Sequence, residues 1–283
     1  MNQFTLQDIV ALALREDVGP GDLTSRCLIP EDLAGRASLR ARQALVLSGL
    51  TAAAETLRQV DQRLVFIPLA ADGDRLAPGA EIARIEGPAA SILAAERVCL
   101  NFLMRLSGVA TLTARYVEAA SRTPAAVVDT RKTTPGLRLL EKAAVRHGGG
   151  RNHRFALYDG LLIKDNHLAA IGSIAEAVAR ARAATPHTLK IEVEVDTLDQ
   201  LGQALVAGAD LVLLDNMGLD LLQEAVALAE AYFAPGPRRV GLEASGGITL
   251  ETITAVAQTG VDFISIGAIT HSAPAADLGL DWD

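Results

Sequence analysis

Residues 127–136 read VVDTRKTTPG, an apolar run that ends in an acid and then sets two cations, Arg131 and Lys132, side by side. A solvated turn needs only polarity, and a core strand needs no cation, so the pair calls for an anion to hold. Further on, NHR places His153 beside Arg154, and GLLIK closes an apolar run at Lys164. An arginine fork pairs bidentately with a carboxylate, while a lysine acts as a point charge. A lysine buried at a strand end without a partner is costly, so Lys164 is expected to serve a ligand. Between Arg131 and Lys164 there are eight Lys or Arg against two acids, in a chain whose net charge is −8. A basic island in an acidic chain points to a small anionic ligand and away from nucleic acid. Arg138, Lys142, Arg146 and Arg151 are read as a solvated coat on a helix and loop, and His147 as a surface or cap residue.

Two other chemistries accompany the cations. IEVEV and LLDNM end apolar runs in Glu194 and Asp215. Such carboxylates can hold Mg²⁺ through water, accept bonds from sugar hydroxyls, or stabilise a sugar carbon as it becomes positive. Ordinary salt bridges to Lys190 or Lys164 are the plainer reading. Glu192, two residues from Glu194, shares its strand face, and for it the plainer reading is preferred. ASGGIT and SIGAITHS then put Ser245, Gly246, Gly247 and Gly267 after strands, where open backbone N–H groups cradle phosphate.

The elements that must position these groups follow from the pattern. Short β-rich runs at 125–129, 160–164, 189–195, 210–215, 239–245 and 262–267 alternate with helical segments near 136–147, 173–184, 197–207, 218–231 and 249–259. Gly208 and Gly260 fall where helix C-caps belong. This alternation implies parallel strands with crossover helices, and six units fall short of an eightfold barrel, so an incomplete six-stranded α/β barrel is expected. Reacting groups in such barrels sit at the C-terminal ends of strands, which is where Asp129, Thr130, Arg131, Lys132, Lys164, Glu194, Asp215, Ser245 and Gly267 fall. The first 87 residues read as a mixed α+β piece. Residues 87–121 read as a long helical stretch that Gly108 kinks or divides.

Half of the side chains are hydrophobic and 21% are charged, ample for a large core. Two cysteines, Cys27 and Cys99, lack metal-ligand spacing and suit a reducing cytosol. The first residues carry acids among their apolar positions, unlike a secretory signal, and no run approaches the roughly 20 apolar residues of a spanning helix. A cytoplasmic protein without membrane partners is expected.

The motifs resemble those of the quinolinate phosphoribosyltransferase family nearly end to end: EDVGPGDLTS, ERVCLNFLMRLSGVAT, the 39 residues 129–167, IEVEV, LLDNM, EASGGI and ISIGAITHS. The resemblance implies that quinolinate and phosphoribosyl pyrophosphate (PRPP) give nicotinate mononucleotide, pyrophosphate and CO₂ with Mg²⁺, in NAD biosynthesis. It implies an N-terminal α+β sandwich-like domain over 1–110, with a tail over 271–283 packing back on it, and a barrel domain over 111–270. It implies a homodimer, higher assembly left open, in which Arg105 reaches into the partner's site. Dicarboxylate contacts would fall on Arg131, Lys132, His153, Arg154 and Lys164, with Thr130 in the same binding set. Sugar and magnesium-linked carboxylates would be Glu194 and Asp215, and phosphate contacts Ser245, Gly246, Gly247, Gly267 and His271. Lys132, Glu194 and Asp215 are the expected catalytic groups.

Three rival readings compete with this one. A paralogous transferase associated with molybdate transport would take another acid, and the intact IKDNH and NHR speak against it. Residues 72–87 resemble a biotinyl or lipoyl carrier hairpin but contain no lysine. An aldolase-like barrel would use Lys164 as a Schiff base.

Overall fold

The computed structural model describes residues 5–237 and 239–283. Contacts divide the chain into two compact units. The first comprises residues up to Ala114, Thr133–Gly149 and Ala268–Asp283; the second comprises Arg115–Lys132 and Gly150–Gly267. The grouping of the C-terminal tail with the N-terminal part agrees with the expectation, while the boundary at 110/111 does not account for residues 133–149. Residues 133–149, assigned above to the barrel, and the stretch from Ala268 both group with the N-terminal part.

The first unit opens with α1 (Leu6–Asp17) and α2 (Leu23–Leu28). A reciprocal cap starts α1: the Thr5 hydroxyl accepts from the Asp8 N–H, and the Thr5 N–H donates to the Asp8 carboxylate. There follow β1 (Ala34–Ala41), β2 (Leu45–Val46), α3 (Leu50–Val60), β3 (Val65–Pro68), β4 (Arg75–Leu76), β5 (Glu81–Pro88) and α4 (Ala89–Ala120). One antiparallel sheet takes β1, β5 and β3, with the chain's last strand (Leu278–Trp282) added at the β1 edge. Its core is aliphatic, built from Leu39, Leu47, Leu57, Ile82, Ile92 and Leu103.

The long helix α4 is not divided at Gly108 but runs as one element. Gly108 is there for space, because a Cβ would overlap the Pro274 carbonyl oxygen. In the segment 133–149, Lys142 is buried, not solvated, and His147 Nδ1 is bonded to the Ser48 hydroxyl at 2.8 Å. The solvated-coat reading of Lys142 is overturned, while His147 sits part exposed at the end of α5.

The second unit is built on β6 (Ala126–Val128). After it the chain passes through α5 (Arg138–His147), which belongs to the first unit, and then forms β7 (Leu161–Ile163), α6 (Asp165–Ile171), α7 (Ile174–Ala184), β8 (Ile191–Val195) and α8 (Leu198–Ala207). The series continues with β9 (Leu211–Asp215), α9 (Leu219–Phe233), β10 (Gly241–Ser245), α10 (Ile253–Gln258), β11 (Phe263–Ser265) and α11 (Ala268–His271), and the last strand is β12. The sheet is parallel, in the order β6-β11-β10-β9-β8-β7. Ser173 and Thr197 cap the starts of α7 and α8 through their hydroxyls, and Gly208 ends α8 in the left-handed region.

The barrel is incomplete, as expected from six units. Arg151 forms a parallel bridge with Val128 beside β6, one edge of the sheet. The chain then runs from there to β7, the other edge. Residues 152–160, which include the NHR motif, therefore cross the open side. Among the described residues, no helix is long and apolar enough to cross a membrane.

Candidate active site

Successive residues of a strand point to opposite faces, and in-register neighbours share a face. Glu194 pairs with Leu213, Leu213 with Glu243, Asp215 with Ser245, and Ser245 with Ser265. These residues line one cavity of about 600 Å³ at the C-terminal ends of the strands. The interior of a closed barrel is normally filled by branched apolar side chains. Here Glu192, Glu194, Asp215 and Glu243 occupy interior positions instead.

That cavity gathers most of the expected residues. Thr130, Arg131, Lys132, His153, Arg154, Lys164, Glu194, Asp215, Ser245, Gly246 and Gly247 line it, joined by Asn216 and Glu243. Gly267 follows β11 without lining it. Arg105 and His271 belong to the first unit. There Arg105 donates to Glu141 Oε1 from Nε (3.0 Å) and Nη2 (2.7 Å), to Thr134 Oγ1 (3.2 Å), and to the carbonyls of Ala273 and Thr270. It also lines a cavity of about 500 Å³ that α1 helps to wall.

Lys164 departs from its expectation. Its side chain is 42% exposed, and its ammonium is paired with the Glu194 carboxylate across β7 and β8. The pair is one of the salt bridges weighed for Glu194. Asp215 Oδ2 accepts from Asn216 Nδ2 at 2.8 Å. Asn216 itself has φ 53°, and its N–H donates to the Ser245 carbonyl at 2.8 Å. This packs Asn216 against Gly246, where φ is +99° and a Cβ would overlap the Asn216 side chain. Gly247 also has positive φ, but faces open space. Gly247 thus offers exposed backbone with no side chain over it, suited to an anion's oxygens, while Asn216 covers Gly246.

The NHR loop is pinned from beneath. Asp129, fully buried, accepts from Asn152 Nδ2 (2.6 Å) and from the His153 N–H (2.9 Å). Arg154 Nη1 donates to the Gly160 carbonyl at 3.0 Å. Burial lowers the Arg154 pKa, and the nearby Arg131 charge adds to that effect. His153 Nε2 lies 2.9 Å from Glu192 Oε2 and 3.8 Å from Glu243 Oε1. Both glutamates are buried, and each has one carboxylate oxygen without a hydrogen-bond partner. Burial first and the Glu192 charge second raise the Glu243 pKa to about 7.

His153, Glu192 and Glu243 are the one group among the described residues whose His and acid atoms converge closely enough for a metal ion. The hydrogen bonding opposes that use. The Arg154 N–H donates to His153 Nδ1 at 2.7 Å, and a backbone N–H can only donate. Nδ1 therefore carries a lone pair and Nε2 carries the proton, leaving Nε2 no lone pair for a metal. Glu194 and Asp215 offer hard oxygen donors of the kind Mg²⁺ takes, with Glu194 also held by Lys164.

Asp129 is named above only for its strand-end position, Glu192 is read there as an ordinary ion pair, and Glu243 is not among the expected contacts. The signal that could have found them is a carboxylate at an inward position of a buried strand, which needs a partner on the same face.

A parallel α/β barrel with cations, carboxylates and a diglycine turn at its strand ends is of the class that binds anionic, phosphorylated ligands there. The C-terminal domain model of quinolinate phosphoribosyl transferase matches residues 109–281, and its N-terminal domain model matches residues 22–107. The chain belongs to the quinolinate phosphoribosyl transferase family. It is 44% identical over 281 residues to a Bacillus subtilis protein named as a probable carboxylating nicotinate-nucleotide pyrophosphorylase, covering 99% of this chain and 94% of that one. The Mycobacterium leprae nicotinate-nucleotide pyrophosphorylase is 42% identical over 280 residues, covering 97% and 96%. The solved structure of the Francisella tularensis nicotinate-nucleotide pyrophosphorylase superposes with a TM-score of 0.90 at 40% identity, covering 100% of this chain and 98% of that one.

Proposed function

We propose that the chain is a carboxylating nicotinate-nucleotide pyrophosphorylase, joining quinolinate to the ribose of PRPP and releasing pyrophosphate and CO₂ in NAD biosynthesis. The observation that carries this is the single cavity in which Arg131, Lys132, Arg154 and Lys164 face Glu194, Asp215 and the Gly246–Gly247 turn. Quinolinate bears two adjacent carboxylates and needs several cations. PRPP needs a sugar-binding acid and a phosphate cradle.

Arg131, Arg154 and Lys164 would hold the two carboxylates and fix the ring nitrogen toward the ribose, which supplies the proximity term of catalysis. Glu194 and Asp215 would stabilise the positive charge that grows on the anomeric carbon as its bond to pyrophosphate breaks. Lys132 would meet the departing pyrophosphate, and Ser245, Gly246, Gly247 and Gly267, with His271, the 5′-phosphate. Mg²⁺, held by Glu194 and Asp215 through water or PRPP, would supply charge neutralisation for the leaving group. Once alkylated, the ring nitrogen draws electrons, so the C2–CO₂⁻ bond can break toward the ring, and a proton replaces CO₂ at that carbon. No covalent nucleophile is required.

The working unit in this reading is a homodimer in which Arg105 completes the partner's site. Support comes from the mostly apolar cavity that Arg105 lines with Ile9, Leu12 and Phe102. Mixing an Arg105→Ala protein with a Lys164→Ala protein should restore part of the activity if sites are shared, and none if each chain is self-sufficient. Two unpaired cysteines, Cys27 exposed and Cys99 buried, agree with a cytoplasmic location.

The test of the reaction is the formation of nicotinate mononucleotide and ¹⁴CO₂ from carboxyl-labelled quinolinate and PRPP, with and without Mg²⁺. Equal turnover of nicotinate, without CO₂ release, would reject this reading.

A further inference from the structure

Glu192 is buried beside the candidate cavity but does not line it. It lines instead a second cavity of about 440 Å³, walled by Lys190, Leu211 and Phe263 near the N-terminal ends of the strands. His153 borders both cavities, with Glu192 behind it. The two ring nitrogens are both spoken for. Nδ1 accepts from the Arg154 N–H at 2.7 Å, and Nε2 donates to Glu192 at 2.9 Å.

We propose that Glu192 is a positioning residue that holds His153 as the neutral imidazole protonated at Nε2, so that His153 acts as a strut for the Arg154 backbone and does not grip the ligand's carboxylate as a cation. A backbone donor at Nδ1 excludes a proton there while the bond lasts. Glu192 Oε2 takes the remaining ring proton. The strut sets where the main chain of Arg154 sits, and the bond from Arg154 Nη1 to the Gly160 carbonyl sets its guanidinium. A guanidinium held before the ligand arrives loses less freedom on binding, which favours affinity. Asp129 does the same from the other side by accepting the His153 N–H. This assignment rests on the proposed reaction only for the identity of the ligand.

The experiment uses the full chain labelled with [¹⁵N]histidine, with the His153 resonances assigned by their loss in His153→Asn. The expected result between pH 6 and 8 is a neutral ring with its proton on Nε2, unchanged on saturation with phthalate, a dicarboxylate that cannot react. Glu192→Gln keeps an acceptor without the charge, and should hold the same tautomer with KM for quinolinate within about threefold of the parent. Glu192→Ala should raise that KM about tenfold or more, with a smaller fall in kcat. An imidazolium in the phthalate complex, or a Glu192→Gln protein as impaired as Glu192→Ala, overturns the proposal. So does displacement of the Nε2 proton by added Zn²⁺ at equimolar concentration. The spectrum of the parent chain needs no turnover, so a protein inactive on quinolinate but with the expected tautomer would sink the reaction and leave the strut standing.

Discussion

The ammonium of Lys164, at the end of β7, is closed onto the carboxylate of Glu194, on β8, inside the candidate ligand cavity. The two groups assigned to opposite ends of the reaction are therefore each other's partner before any ligand arrives. In the proposed reaction an entering dicarboxylate would compete with Glu194 for Lys164 and so free Glu194 to face the sugar. Binding of the acid and release of the Glu194 carboxylate would thereby be linked.

This linkage predicts a division of effects in steady-state kinetics. Lys164→Ala should act chiefly on KM for quinolinate, and Glu194→Gln chiefly on kcat, the latter by about 100-fold, as for loss of one preorganised electrostatic group. Equal effects of both substitutions on both constants would contradict the division. Lys164→Arg should not restore the parent, since a planar fork cannot replace a point charge at this pair.

Glu243 makes stability pH-dependent. Its pKa is raised from 4.5 to about 7, chiefly by burial. Below pH 4.5 the group is protonated in folded and unfolded chains alike and costs nothing. Between pH 4.5 and about 7 the unfolded chain gives up this proton while the folded chain keeps it, so stability of about 3 kcal/mol is lost across that window. Denaturant unfolding of the parent and Glu243→Gln at pH 5, 6, 7 and 8 checks this. The substituted protein should lose less stability between pH 5 and 8, and parallel curves would contradict the assignment.

Glu141 anchors the first unit's Arg105. It is fully buried, and besides Arg105 it accepts from the Thr134 N–H and hydroxyl. Glu141→Ala removes the acceptor of four hydrogen bonds, two from Arg105 and two from Thr134, and should cost about 3 kcal/mol, read as a lower urea midpoint at constant m-value. Glu141→Gln keeps one oxygen and should cost less.

The two glycines of the diglycine turn should answer differently to alanine. Gly246→Ala must force Asn216 aside in addition to carrying positive φ, whereas Gly247→Ala meets only the backbone penalty of about 1 kcal/mol. KM for PRPP should rise much more in Gly246→Ala, while Gly247→Ala still folds and turns over.

Much of the architecture was legible from local pattern. Each of the six expected barrel strands is present, its ends within two residues of those expected, because a buried parallel strand must be a short apolar run between turn residues. The caps at Gly208 and Gly260 were readable because a left-handed residue at a helix end favours glycine. Less visible is α6, whose first residues, Asp165, Asn166 and His167, are poor helix formers and give no helical signal. Its start is secured by the Lys164 N–H donating to His167 Nδ1 at 2.9 Å, a bond that spacing alone does not announce.

By itself the sequence determined the alternation of strands and helices, the residue types at the strand ends and the family. All of these depend on neighbours a few positions apart or on motifs read in a line. Only the tertiary structure decided which charge meets which: Lys164 with Glu194, Arg105 with Glu141, His153 with Glu192, and the last strand with β1. Those partners are separated by 30 to over 200 positions, and the strand register and crossing loops that join them come from burying the whole core at once. No stretch of chain encodes such a pairing alone.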